Sequence, residues 1–410
     1  MNPLIKKNTA LLLAPFIILL VSWYIAVDVR LTSDFGYFYI SLIDDISLHK
    51  GSFLEFLYPS IFAGTYESYL ILFYIINSAL VLYFISLFLT KASDIFILIP
   101  IAISLLPLIP VPNSEIVSLV IISLFVTSHS YINYDSKYQV LLVFLIPFVR
   151  TQALFGMLPT LLSTKISRAS FYLISILTIA FICFWFFSQS SKDYNLAVTN
   201  DYELKSVNYV ASVVDLGTNT NEFNSCGYWN KDVLDQHLTK YGNSGSALEV
   251  LKNNFSERSL NENITFYVCK LKYYIYTPTT YGEHFGGANI CDDTSLTVAT
   301  GMQTSRIEKH NYLCTTQNNN ITNIGVIFYV ASIFIKLLII TPFILALKHI
   351  RKPYYFADLR IFLYGASLIM LFLFFEAQPR YLLCFVPFAL AYIKNYKYRD
   401  NQDDSSFNLN

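Results

Sequence analysis

The chain has 410 residues, of which 54% are hydrophobic and only 14% are charged. Soluble domains carry roughly 25% charge, so a water-soluble globule is a poor description of the main body. The formal net charge is zero, which gives no electrostatic case for a nucleic-acid partner.

Apolar runs set the organisation. The first, Asn8 to Val27, is too long for a signal peptide and lacks a small-residue cleavage site, so it reads as a retained helix. Further runs lie at Tyr69–Leu89, Asp94–Val111, Ile116–Ser128, Tyr138–Val149, Gln152–Ser163, Ala169–Phe187, Ile324–Leu347, Ala357–Phe375 and Tyr381–Ile393. Runs of about 18 apolar residues are the form of transmembrane helices. The expected fold is a polytopic α-helical membrane protein with about ten such helices. The pair of runs around Arg150 also reads as one re-entrant hairpin.

Lys and Arg in short loops orient the chain. With Lys6 and Lys7 in the cytoplasm, Lys91, Lys137, Lys165, Arg168, Lys348, Arg351, Lys352, Lys394, Lys397 and Arg399 all fall inside. Residues 1–187 then form a first membrane domain with an outer loop at 28–68, and 188–323 an extracytoplasmic domain. Residues 324–394 return through the membrane, and 395–410 form a cytoplasmic tail. Arg150 and Arg380 face outward, against the rule.

The block 188–323 is rich in Asn, Thr, Asp, Gly and Tyr and has no membrane-length apolar run. It reads as a small mixed α/β domain, with strand at Ile264–Val268 and helix at Asp232–Tyr241. It holds Cys226, Cys269, Cys291 and Cys314. An even set confined to the outward block suits disulfides in an oxidising compartment, with the pairing left open. Zinc is the other use of four cysteines, but there is no C-x-x-C pair. The histidines form no ligand-spaced pair either, so neither metal nor cofactor is expected.

Carboxylates are expensive in a membrane protein, which draws attention to the island Thr32-Ser33-Asp34-Phe35-Gly36-Tyr37-Phe38-Tyr39 after the first helix. The aromatics suit an amphipathic helix at the membrane interface, holding Asp34 where a lipid-linked substrate presents its head group. Thr-Ser-Asp before an apolar run is also an N-cap signal. Asp44 and Asp45 are rival acids about 100° apart on a helix. Glu115, at the outer end of another helix, suits contact with an acceptor or a metal. Gln378-Pro379-Arg380-Tyr381 places a guanidinium at the outer end of a helix pair. Such a group binds phosphate bidentately, or snorkels to lipid phosphate. Arg150 is a second guanidinium on that face. Lys336 falls mid-helix, where it would reach a lipid phosphate or pair with a carboxylate. Tyr228 and Trp229, beside Cys226, suit stacking on sugar rings or core packing.

These residues carry a family resemblance. Asp34-x-x-Tyr37-x-Tyr39 followed by Gly51, the turn Phe148-Val149-Arg150-Thr151, and Pro379-Arg380-Tyr381 with Pro387 resemble the outer-face motifs of the GT-C glycosyltransferases. The cysteine-bearing block before the last helices is similar to the phage-type serotype-converting glucosyltransferases that decorate O-antigen. The resemblance implies an inverting transfer of a sugar, glucose in that branch, from undecaprenyl phosphate to a surface or lipid-linked glycan at the outer face of the bacterial inner membrane. It implies Asp34 as catalytic base, with Arg380 and Tyr381 at the donor phosphate, helped by Arg150; Lys336 is placed there by its own mid-helix charge, not by the resemblance. It also implies dependence on a donor synthase and a flippase. Many relatives carry a second acid directly after the Asp, and here Phe35 stands there, which weighs against a metal-assisted variant. An O-antigen polymerase or ligase and a polysaccharide transporter or flippase are the competing readings. The first would leave Asp34 without a role, and the second would want polar residues along helix interiors.

Overall fold

The computed structural model describes residues 3–26, 66–109, 114–131, 142, 145–146, 149, 153–161, 195–198, 204–206, 209–219, 226–227, 231–242, 245–277, 279, 321–349, 359–375 and 377–394. These residues are mostly helical. In chain order they form α1 (Pro3–Ala26), α2 (Tyr66–Phe88), α3 (Ile95–Leu105), α4 (Ser114–Tyr131) and α5 (Leu154–Leu161). The strands β1 (Asn195–Val198) and β2 (Leu204–Ser206) pair antiparallel. Then come α6 (Tyr209–Thr218), α7 (Lys231–Tyr241), α8 (Ala247–Ser256) and α9 (Leu260–Tyr276). The chain ends with α10 (Ile321–His349), α11 (Leu359–Phe374) and a 3-10 stretch, Pro379–Phe385, that runs into a last helix at 386–394, α12.

Among the described residues, Ile71–Phe88 and Val326–Leu347 are apolar and long enough to cross a membrane, by length and composition. Shorter apolar helices occupy Leu11–Tyr24, Ala92–Leu108, Ser114–Thr127 and Ile361–Phe374. Their buried faces share one core, with Phe16, Phe84, Phe125, Ile335, Tyr364 and Phe385 among its members. In an apolar setting every backbone polar group must be satisfied internally, which is why such runs close into helices.

A few polar contacts fix the packing. Tyr74 on α2 donates its hydroxyl proton to the Leu20 carbonyl of α1 at 2.5 Å. Buried Asn77 donates to the Ile109 carbonyl at 2.8 Å, tying α2 to the end of the Pro-rich segment after α3. At the other end, the Asp94 carboxylate accepts from the Thr90 amide and hydroxyl and from the Lys91 amide. It also meets Lys394 of α12 at 3.2 Å. On α5, Gly156 lies so close to the Cys384 carbonyl that a methyl group there would collide with it.

The polar block corrects one expectation and meets another. Ile264–Val268 is not strand; it lies inside α9. Its Ile, Thr, Phe, Tyr and Val suit a strand one residue at a time. The helix wins because Ser259 and Glu262 form a capping box at its start. The Ser259 amide donates to the Glu262 carboxylate at 2.7 Å, and the Ser259 hydroxyl accepts from the Glu262 amide at 3.3 Å. The helix expected at Asp232–Tyr241 is α7. Among the described residues the block's small core is helical, formed by Ala211, Val214, Tyr241 and Val250.

A candidate site at the Arg380 turn

Glu115 stands in the first turn of α4, behind Ser114, where a carboxylate faces the positive end of the helix dipole. Arg380 stands at the start of the 3-10 stretch, directly after Pro379. The fold brings the two together. Arg380 Nε lies 3.1 Å from Glu115 Oε1, with side chains 12% and 5% exposed. The same Nε donates to the Gln378 Oε1 at 2.7 Å. Tyr381 is buried beside them, its amide donating to the Gln378 carbonyl at 3.0 Å. The guanidinium therefore belongs to a nearly dry cluster with a carboxylate and an amide as neighbours. Removing either charge strands the other in a medium that solvates it badly.

The polar block holds this turn from behind. Cys226 and Cys269 are joined in a disulfide, which anchors the 226–227 turn to α9. Cys226 and Gly227 have φ of 46° and 77°, two left-handed residues in succession. Only glycine takes the second at no cost, and a Cβ there would also crowd the Lys270 side chain. This turn aims the Gly227 carbonyl at the Ala377 amide, which donates to it at 2.5 Å. Lys270, fully buried, donates to the Gly217 carbonyl at the end of α6 and to the Phe375 carbonyl at the end of α11, both at 2.7 Å. A lysine at two helix C-termini meets the negative ends of both dipoles. Three residues before Gln378 and one before it are thus tied to the disulfide-bearing helix.

A second polar cluster lies inside the block. His237 Nδ1 is 2.8 Å from Asp215 Oδ2, both side chains 1% exposed. Asn254 donates to Asp215 at 2.8 Å and to the Thr218 hydroxyl at 2.9 Å. Arg258 donates to the carbonyls of Asn254 and Thr218. The cluster joins α6, α7 and α8, and it reads as the polar core of the block.

Of the residues singled out from sequence, Glu115, Arg380 and Tyr381 come together. Lys336 lies elsewhere and donates to the backbone carbonyls of Ile275 and Thr277 at 2.7 Å each. Cys226 and Cys269 pair with each other. Asp34, Asp44, Asp45, Arg150, Tyr228, Trp229, Cys291 and Cys314 lie outside the described residues. Sequence reading did not anticipate that Glu115 and Arg380 are partners. The available signal was the Lys and Arg pattern, whose positive-inside reading assigns both residues to the same side. Among the described residues no group of three or more His, Cys, Asp and Glu side chains could hold a metal ion. Comparison with family models, with curated proteins and with solved structures finds no match.

Proposed function

We propose that the chain is a multi-pass membrane glycosyltransferase of the GT-C kind. It moves a sugar, glucose in the reading closest to the motifs, from undecaprenyl phosphate to an O-antigen-like glycan at the outer face of a bacterial inner membrane. The observation that carries the reading is the nearly dry Arg380–Glu115–Gln378 cluster at the turn after α11. A guanidinium held in low dielectric attracts a phosphodiester more strongly than one in water, and it stays charged at any physiological pH. The long apolar helices supply the setting that a polyprenyl donor needs.

The reaction balances without a cofactor. Asp34 takes the proton of an acceptor hydroxyl, whose oxygen forms the new bond to the anomeric carbon. The bond from that carbon to the lipid phosphate oxygen breaks on the opposite face, so configuration inverts. Arg380 stabilises the charge gathering on the departing phosphate, with Tyr381 packed behind it and Arg150 on the same face. Lys336 sits apart from this cluster and takes no part in the step. Tyr228 and Trp229 of the cysteine-bearing block stack on the acceptor sugars. The enzyme depends on a synthase that loads the lipid and a flippase that delivers it.

The test uses purified protein in lipid nanodiscs with synthetic undecaprenyl-phosphate glucose, a short O-antigen acceptor and no nucleotide. Formation of the glucosylated acceptor, lost in Asp34→Asn and in Arg380→Ala, supports the reading. Absence of transfer by the intact protein over a panel of lipid-linked sugars sinks it. Transfer that survives Asp34→Asn at full rate removes Asp34 as the base.

A further inference from the structure

The placement of α9 carries a consequence for how the polar block meets lipid. Leu260, Ile264, Val268, Leu271 and Ile275 are all exposed. At 100° per residue they fall within an arc of about 80° along the whole helix. The neighbouring face, centred about 120° away, is buried: Phe266, Lys270 and Tyr274 turn toward the protein. There Tyr267 donates its hydroxyl proton to the Leu373 carbonyl of α11 at 3.2 Å, and Tyr274 meets the Phe372 ring at 5.9 Å. Exposed Asn261, Thr265 and Lys272 form a polar strip on one flank of the apolar arc.

The C-terminal end of α9 fixes its depth. Lys336 donates to the carbonyls of Ile275 and Thr277, and the Thr279 amide donates to the Ser332 hydroxyl at 2.8 Å. Ser332 and Lys336 both lie inside the apolar stretch Val326–Leu347 of α10. At 1.5 Å rise per residue they stand about 9 and 15 Å from Val326 along the helix axis. The last carbonyls of a helix in water are satisfied by solvent, whereas at membrane depth they need a protein donor. A lysine in the middle of an apolar helix supplies that donor. Val330, Ile333, Leu337 and Ile340 are among the exposed apolar residues of α10.

We infer that α9 is an interfacial helix immersed in the leaflet on the Arg380 side. Its stripe Leu260, Ile264, Val268, Leu271 and Ile275 lies against lipid acyl chains, and Lys336 closes its buried end. The inference rests on α10 spanning the membrane, as proposed above. The polar strip of Asn261, Thr265 and Lys272 faces the head groups, the arrangement of an amphipathic helix in the interface. Part of the cysteine-bearing block is then a membrane element, and the Arg380 turn is framed by a helix that lipid touches directly.

Collisional spin-label measurements on the full chain in phosphatidylcholine–phosphatidylglycerol proteoliposomes test this. The label is carried on a genetically encoded keto side chain, so the cysteines are untouched. It is placed singly at Ile264, Val268, Ile275, Asn261, Thr265 and Lys272, with Ile333 and Ile340 of α10 as references. The expected result is a ratio of oxygen to nickel-chelate collisions that is high at Ile264, Val268 and Ile275, matching the references. The ratio drops at Asn261, Thr265 and Lys272. Nickel access along the stripe equal to that at the polar strip, with the references still in lipid, overturns the inference and leaves the membrane reading standing. Shielding of the stripe from both reagents also overturns it, since protein rather than lipid then covers the face. Nickel access at Ile333 and Ile340 themselves overturns both.

Discussion

Arg380 Nε lies 3.1 Å from Glu115 Oε1, across the start of α4 and the turn that follows α11, with little of either side chain exposed. Because both charges are nearly desolvated, each depends on the other. Glu115→Gln should lower stability by about 3 kcal/mol, since it leaves a guanidinium with a neutral neighbour. The double variant Glu115→Gln/Arg380→Gln should regain part of that loss. Thermal unfolding of the four proteins in one detergent closes the cycle, and strict additivity would show that the two residues are not coupled.

The disulfide between Cys226 and Cys269 closes a loop with a sequence separation of 43. Chain-entropy arguments put the stabilisation for a loop of that size at about 4 kcal/mol. The Cys226→Ser/Cys269→Ser variant should therefore unfold at markedly lower denaturant. Its Ala377 amide should exchange hydrogen faster, because the Gly227 carbonyl that holds it is no longer fixed. Hydrogen-exchange mass spectrometry of the peptide over residues 375–385 reads this directly.

Glu262 titrates where α9 begins. The Ser259 amide, and then its hydroxyl, donate to the carboxylate and hold its pKa below the ordinary 4.5. A carboxyl lowered by folding adds stability above its unfolded value, and that contribution fades as pH falls through the folded one. Protection of the first-turn amides of α9 should thus drop on acidification below the usual glutamate range. In Glu262→Gln the protection should be lower at neutral pH and should not change over the same range. An acid limb of equal size in both proteins would contradict the capping box as its origin.

Gly156 has no space for a side chain, because the Cys384 carbonyl occupies it. Gly156→Ala should force α5 away from the 3-10 stretch and cost about 1–3 kcal/mol, against the small gain alanine usually brings to a helix. A stabilised Gly156→Ala protein, read by its unfolding midpoint, would show that the two segments are free to separate.

The long apolar helices were legible in the sequence because a long run with almost no charged side chains is distinctive by composition alone. The runs Tyr69–Leu89 and Ile324–Leu347 fall within a few residues of α2 and α10. Where water competes, local preference misled. Ile264–Val268 has the composition of a strand, and the capping residues Ser259 and Glu262 just upstream were the sign that it is helical. Lys336 was visible as a charge out of place, but its partners are backbone carbonyls of a different helix, and no residue type announces those. The Glu115–Arg380 pair was hidden for a related reason. Each residue sits at a helix start, and only the packing of α4 against the 3-10 stretch makes them neighbours.

Lys270 favours an order of assembly. Its ammonium group is buried between the Gly217 carbonyl of α6 and the Phe375 carbonyl at the end of α11. During synthesis the block up to Tyr276 emerges long before Phe375 exists, so one of the two acceptors is missing for that interval. Closing the block over Lys270 before α11 is in place would bury the ammonium without one of the acceptors it has in the folded chain, which is costly for a charge. The cysteine-bearing block and the last helices are in this way coupled, and a chain that lacks α11 should expose the block to limited proteolysis.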